Sequence, residues 1–371
     1  MIYLDNAATS FPKPQIVLDA VADALRTCGN PGRGGHAFAM RAAEIALHAR
    51  EALAALLHAS NPFLFVFTQN CTEALNLAIK GTVQAGSHVV STVYEHNSVL
   101  RPLHTLMYTQ RVQLTLVGEA PLPLAVQIES ALRSNTSLVV VCHQSNVTGQ
   151  VQPIEEIAEL CKRRKIPLLI DAAQSVGHIP LNLDALGCMV AMPGHKGLLG
   201  PQGTGALYLG TQLPFTLKEG GTGSQSFSLL QPQEVPELYE AGTLNIHGIA
   251  GLLAGTQFVA AHASGINQNI ALRCAQLRAY LQAQKNIMRY GGGEGIVSFT
   301  VGDVPSGEIA DALDFEFGIA TRAGAHCAPL MHRLLGTQEQ GVVRLSPGAF
   351  TTQADVDAFA TAMDAILLAY G

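Results

Sequence analysis

Ala191-Met192-Pro193-Gly194-His195-Lys196-Gly197-Leu198-Leu199-Gly200-Pro201-Gln202-Gly203-Thr204-Gly205 sets one lysine in a glycine-rich turn behind an apolar segment. Upstream, Leu168-Leu169-Ile170-Asp171-Ala172-Ala173-Gln174 reads as a buried strand that ends in a carboxylate. Between Asp171 and Lys196 there is room for one further strand, which would return the chain to the same end of a sheet. Glycines let backbone and ligand approach closely, and a lysine held there can lose its proton and attack an aldehyde. The aldehyde cofactor that pairs a Schiff-base lysine with a carboxylate on its ring nitrogen is pyridoxal phosphate, PLP. Taken alone, a lysine in such a turn is more often a solvated surface charge, so the rest of the chain has to decide.

Working outward, apolar runs at Phe63–Phe67, His88–Ser91, Gln113–Val117, Leu138–Cys142, Leu168–Ile170, Met189–Ala191 and Ala206–Leu209 alternate with helical patterns at Thr72–Lys80, Ser98–Tyr108, Ala125–Arg133 and Ile154–Arg163. Buried strands alternating with helices predict a mainly parallel seven-stranded sheet covered on both faces, an α/β fold. Ligands in such sheets sit beyond the carboxyl ends of the strands. Helical patterns at Gln15–Arg26 and Phe38–Leu57 precede the alternation. They flank a loop, Gly29–Gly35 with Asn30, Pro31 and Arg33, that is either a plain connection or part of a site wall. Gly220–Gln233 is a polar loop. A long helix beginning near Ile246 leads into a smaller α/β unit, with a strand at Gly295–Val301 and helices at Ser306–Phe317 and Thr352–Leu368. The organisation expected is a large unit over 15–250 and a small one built from 1–14 and 251–371.

Composition narrows the function classes. The chain has 371 residues, enough for a large core, with 13% charged and 48% apolar residues. A formal charge of −6 leaves no electrostatic footprint for nucleic acid or anionic lipid. The basic run Lys162-Arg163-Arg164-Lys165 suits a helix C-terminus better than a binding patch. No apolar run approaches the ~20 residues of a membrane span. Seven scattered cysteines without a CxxC pair support neither a disulfide framework nor a metal site. The opening residues lack the pattern of a signal peptide, so a reducing cytoplasm is the expected location.

Three strand ends are polar. Thr68-Gln69-Asn70-Cys71-Thr72-Glu73-Ala74 opens a helix, where the Cys71 amide and the Thr72 hydroxyl can hold a phosphate; the plainer alternative makes Thr72 a helix N-cap. Glu95-His96-Asn97-Ser98 begins another helix, with His96 either stacked on a planar cofactor and moving protons or simply satisfied at a helix start. His143-Gln144-Ser145-Asn146 is the third.

These segments, with Tyr3-Leu4-Asp5-Asn6-Ala7-Ala8-Thr9, Ser145-Asn146-Val147-Thr148-Gly149, Gly194-His195-Lys196, Glu240-Ala241-Gly242-Thr243-Leu244-Asn245 and Arg322-Ala323-Gly324-Ala325-His326-Cys327-Ala328, resemble in order the cysteine desulfurases of the class-V aminotransferase group. The resemblance implies a fold-type-I PLP-dependent transferase acting as a homodimer. Lys196 would be the Schiff-base lysine, Asp171 the partner of the ring nitrogen and Gln174 the donor to the phenolic oxygen. His96 would stack on the ring with Asn146 beside it. Cys71, Thr72 and His195 would bind the phosphate, joined by Thr243 of the other subunit. Arg344 would take the substrate carboxylate in a bidentate pair, with Arg322, Asn6 and Ala7 around the substrate.

Cys327 would be the nucleophile. Its small-residue loop carries a cation, Arg322, and an imidazole, His326, that favour a thiolate. The reaction implied converts L-cysteine, or L-selenocysteine, to L-alanine and leaves sulfur on Cys327 as a persulfide. The compact stretch between Cys327 and Arg344 is similar to that of the desulfurases that rely on a dedicated sulfur-acceptor protein. Two positions depart from the pattern. Pro193 stands where a hydroxyl is usual, so one phosphate contact is missing or supplied elsewhere, and Ala325 replaces a frequent histidine.

Overall fold

The predicted alternation folds into a seven-stranded sheet, seen in a computed structural model that describes residues 1–31, 34–210 and 212–370. Gly32 and Arg33 of the glycine-rich loop lie outside the described residues. In chain order the elements begin with β1 (Ile2–Tyr3), α1 (Gln15–Thr27), α2 (Ala37–Leu56), β2 (Phe65–Thr68), α3 (Cys71–Thr82), β3 (His88–Thr92), α4 (Asn97–Gln110) and β4 (Gln113–Val117). They continue with α5 (Leu124–Ala131), β5 (Thr136–Cys142), α6 (Ile154–Arg164), β6 (Leu168–Asp171), α7 (Leu183–Leu186), β7 (Met189–Pro193) and β8 (Gly205–Tyr208).

The strands lie in the order β2-β8-β7-β6-β5-β3-β4, all neighbours parallel except that β8 runs antiparallel to both β2 and β7. Successive residues of a strand face opposite sides. Val139 and Val141 of β5 join a core with α2 and α6, while Leu138 and Val140 join one with α3 and α4. Both faces are therefore covered, which is why these strands are apolar throughout rather than alternating. Fully burying one such leucine or isoleucine contributes about 1.5–3 kcal/mol.

Local signals place the helix ends. Asn70 caps α3 by accepting the Glu73 N–H, with Glu73 itself in the first turn, where a carboxylate suits the helix dipole. Helix α6 carries Glu155 and Glu156 in its first turn and Lys162, Arg163 and Arg164 in its last. Lys162 pairs with Glu159 and Arg164 with Glu129, so the basic run is a solvated helix end.

Beyond an irregular stretch, α8 (Ile246–Ala283) runs for 38 residues, followed by β9 (Ile287–Tyr290), β10 (Val297–Val301), α9 (Ser306–Phe317), β11 (Ile319–Ala320), α10 (Pro329–Leu335), β12 (Val343–Leu345) and α11 (Gln353–Tyr370). By length and composition α8 would pass as a membrane span, which the search for apolar runs missed. Half of that window is buried, and the helix packs on α1, α2 and α11, so it serves as a core connector. The small unit is the expected smaller assembly of strands and helices. Its three-stranded sheet β12-β10-β9 is antiparallel, and β1 pairs in parallel with β11 from the far end of the chain. Strand β10 begins at Val297 rather than Gly295. A third core gathers Leu4, Leu277, Phe299, Leu313, Val343 and Phe359 around these elements.

Candidate active site

Asp171 and Lys196 meet because β6 and β7 are adjacent and parallel, with Asp171 level with Ala191. The turn after β7 has to lie flat against its neighbours. A Cβ on Gly197 would strike the Val176 carbonyl and one on Gly194 the Thr204 hydroxyl, so only glycine fits at either. The Asp171 carboxyl is buried; its Oδ1 accepts the Ala173 N–H at 2.9 Å and the Cys71 thiol at 3.6 Å, and burial raises its pKa. Burial and then the Arg344 charge lower the Lys196 amine to about 8. Lys196 is half-buried and lines the cavity, so it is not a freely solvated surface lysine.

At the other end of the cavity stand Asn70, Cys71 and Thr72 of the α3 start, Ser98, Pro193 and His195. The N-cap is Asn70, not Thr72, which overturns the plainer reading of that residue. The Thr72 hydroxyl instead sits 2.8 Å from Ser98 Oγ. Asn70 accepts the Glu73 and Ala74 N–H groups, and the N–H groups of Cys71 and Thr72 are among those that a helix start leaves without an intrahelical acceptor. His96 caps α4, and its Nδ1 accepts the Ser98 N–H at 3.0 Å, which puts the ring proton on Nε2. Burial, reinforced by Lys196, lowers both His96 and His195 to about 4, so both rings are neutral. Thr243 is exposed in the loop before α8 and does not line this cavity.

The small unit supplies the remaining groups. Arg344 is fully buried: Nη2 donates to Asp5 Oδ1 at 2.8 Å and Nη1 to the Asn146 carbonyl at 3.0 Å. Its backbone pairs with that of half-buried Arg322, which brings both guanidinium side chains to this end. Asn6 is held by its Nδ2 on the Ser346 carbonyl, Ala7 by its N–H on Ser346 Oγ, and Gln174 Nε2 donates to the Ala7 carbonyl at 3.1 Å. These three line a second cavity that shares Gln144, Gln174 and Lys196 with the first.

Cys327 is exposed, and it and His326 both adopt left-handed backbone, φ 55° and 49°. The Cys327 carbonyl accepts the Asn97 N–H at 2.7 Å and the His326 carbonyl accepts Asn146 Nδ2 at 2.7 Å, so the loop is tied to residues beside His96 and Asn146. One expectation is corrected here. His326 is buried, its ring stacks parallel to His332 with centroids 6.0 Å apart, and burial followed by the charges of Arg344 and Arg322 lowers it to about 3. The imidazole is neutral and lends no charge to the thiol; Arg322 is the cation of that loop.

The donor set fits a flat, anionic aldehyde. It offers an amine whose pKa is lowered to about 8, a buried carboxylate, a neutral imidazole, and hydroxyls with helix-start amides at the far end. That is the chemistry PLP requires. Ser98 and Tyr94 line the cavity without having been assigned a part from the sequence. The signal for Ser98 was its place just past a strand end, and it supplies a hydroxyl on the side where Pro193 has none.

The family profile for class-V aminotransferases matches residues 2–359. A probable cysteine desulfurase of Methanothermobacter thermautotrophicus is 33% identical over 98% of this chain and 94% of its own length. A probable cysteine desulfurase of Pyrococcus abyssi is 32% identical over 97% of this chain and 92% of its own. Among solved structures, the apo cysteine desulfurase of Thermococcus onnurineus NA1 superposes with a TM-score of 0.90 at 30% identity, covering 99% of this chain and 95% of that one. The cysteine desulfurase CsdA of Escherichia coli gives 0.85 at 26%, covering 98% and 94%. With fold, ordered motifs and full-length similarity in agreement, the chain belongs to the class-V aminotransferase family and, within it, to the cysteine desulfurases.

Proposed function

We propose that this chain is a PLP-dependent cysteine desulfurase that converts L-cysteine to L-alanine and keeps the sulfur on Cys327. The observation that carries the reading is the convergence of Lys196, its pKa lowered to about 8, with buried Asp171 and a loop-borne, exposed Cys327 tied to the neighbours of His96. When bound, PLP would supply an electron sink for the pair released at the substrate α-carbon.

Lys196 would hold the aldehyde, and its Nζ would take the substrate α-proton. Asp171 keeps the ring nitrogen protonated. Thr72, Ser98, His195 and the N–H groups of Cys71 and Thr72 hold the phosphate, and Thr243 joins them from a second copy, in keeping with its exposure here. His96 would stack on the ring with Asn146 beside it, and Gln174 would offer its second N–H to the phenolic oxygen. The substrate carboxylate shares Arg344 with Asp5, flanked by Arg322, Asn6 and Ala7.

The Cys327 thiolate attacks the substrate sulfur. The carbon–sulfur bond breaks with its electron pair left on carbon, the β-carbon takes up a proton, Lys196 returns one to the α-carbon to complete alanine, and the enzyme retains a persulfide. Because Cys327 is exposed, that persulfide can meet an acceptor protein. L-Selenocysteine has the same shape and remains a second substrate to assay. The free state of all seven cysteines suits a reducing compartment.

The test is to give PLP-loaded protein L-cysteine and a reducing thiol and to follow alanine and sulfide together. Equal yields that disappear in Cys327→Ala are expected. Wild-type protein that yields neither product, while cysteine still perturbs the cofactor absorbance, would contradict the proposal.

A further inference from the structure

The carbonyl of His195, the peptide oxygen immediately before Lys196, is surrounded by donors from the N-terminal segment. It accepts the Ser10 N–H at 2.9 Å, Ser10 Oγ at 3.0 Å, Thr9 Oγ1 at 3.1 Å and Lys13 Nζ at 3.0 Å. Lys13 Nζ also donates to Ser10 Oγ at 2.6 Å, and that hydroxyl passes its own proton on to the carbonyl. Lys13 is half-buried and forms no ion pair with a carboxylate among the described residues. Burial lowers its amine to about 8. A partly buried ammonium without a counter-charge is costly, so a cation kept there and aimed at one peptide oxygen calls for a role at that peptide.

The same segment is anchored at its other end to the small unit. Asp5 pairs with Arg344, the Asn6 N–H and side chain bond the Ser346 carbonyl, and the Ala7 N–H bonds Ser346 Oγ. Residues 5–13 thus run as a strap from the buried arginine to the peptide that carries the lysine. Gln174 is fastened to it midway, through the Ala7 carbonyl.

We propose that Lys13 is a positioning residue that, with Thr9 and Ser10, fixes the His195–Lys196 peptide through the His195 carbonyl and so presents the Lys196 amine in one orientation to the aldehyde. A charge-assisted hydrogen bond holds a peptide more firmly than neutral bonds alone. Two neighbours depend on this one plane, because the side chains of His195 and Lys196 both line the cavity. The assignment rests on Lys196 being the aldehyde-binding residue and deepens that reading.

The test compares wild type, Lys13→Met and Lys13→Arg as full-length protein. The readouts are the rate at which cofactor-free protein develops the absorbance of lysine-bound PLP and the rate at which loaded protein loses it to a competing amine. For Lys13→Met, uptake about tenfold slower and release about tenfold faster are expected, the size of one lost charge-assisted bond. Lys13→Arg restores both, since a guanidinium can reach the same two oxygens, and the melting temperature of the cofactor-free protein stays near that of wild type. Wild-type rates in Lys13→Met would overturn the proposal. So would equal losses in both variants together with a lowered melting temperature, which would make Lys13 a packing residue. Neither readout involves sulfur release, so failure of wild type to desulfurate cysteine while the absorbance comparison holds would count only against the desulfurase reading.

Discussion

Lys196 and Glu95 are displaced in opposite directions, in charge, by the same cause. Burial lowers the amine of one to about 8 and raises the carboxyl of the other to about 8, leaving each closer to its neutral form. Only an uncharged amine attacks an aldehyde, and its fraction grows as pH climbs toward the pKa. PLP uptake by cofactor-free protein is therefore expected to quicken roughly tenfold per pH unit below about pH 8 and to level off above it. A flat profile there would contradict the burial argument.

Glu95 is fully buried. Its Oε1 accepts the Thr92 Oγ1 hydroxyl at 2.6 Å and the Cys142 N–H at 2.9 Å, while Oε2 has no partner among the described residues. The unfolded chain releases this proton near 4.5 and the folded one near 8. Between those values the folded state binds more protons, so the stability Glu95 contributes is complete below the unfolded value and is lost as pH rises through the folded one. Glu95→Gln, which cannot ionise, is expected to raise the melting temperature over wild type by more at about pH 8 than at about pH 5; an equal difference at both would refute it. At this scale the sequence was most legible where chemistry is tied to residue type, as at Lys196, Asp171 and Cys327. His326 misled because its neutral state depends on burial against His332, which no local pattern encodes.

Among elements, the strands and helices of the large sheet were readable because both faces are covered and the runs from β2 to β6 are separated by helices. The N-cap of α3 was misread by two residues, since Asn70 and Thr72 are both good caps and only the helix start at Cys71 decides between them. One link between elements left no local trace at all. Arg50 of α2 donates through Nη2 to Glu240 at 2.7 and 2.6 Å and through Nε to the Phe65 carbonyl at 3.1 Å. Glu240 also accepts the Phe67 N–H at 2.6 Å, and the Arg50 guanidinium lies 4.5 Å from the Phe67 ring centre. This pair ties α2 and β2 to the loop that carries Thr243 into α8. Arg50→Met strands a buried carboxylate and is expected to cost about 3–5 kcal/mol of unfolding free energy, measured by urea titration, whereas adding Glu240→Leu should recover part of the loss. A double variant less stable than the single one would show that the pair matters for more than mutual charge compensation.

For the whole molecule, the small unit was the least legible part, because its pairings are remote in sequence: β1 with β11, Asp5 with Arg344, and Ser346 with Asn6 and Ala7. Short strands such as β11 and β12 carry too few residues to show a period. The irregular stretch before α8 leaves Phe227, Leu229 and Leu230 at 105%, 102% and 80% exposure, an apolar tip that suits burial against a second copy. Sedimentation is expected to give twice the chain mass of 39.1 kDa, with Leu229→Asp plus Leu230→Asp shifting the protein toward monomer; a monomeric wild type would remove the route by which Thr243 reaches the site.

The most direct test of the account is the intact mass of PLP-loaded protein after one turnover with L-cysteine in the absence of any reducing thiol. A gain of one sulfur atom, mapped to Cys327 and absent from Cys327→Ala, is the predicted result. Alanine formed with no sulfur on Cys327 would contradict its role as the acceptor.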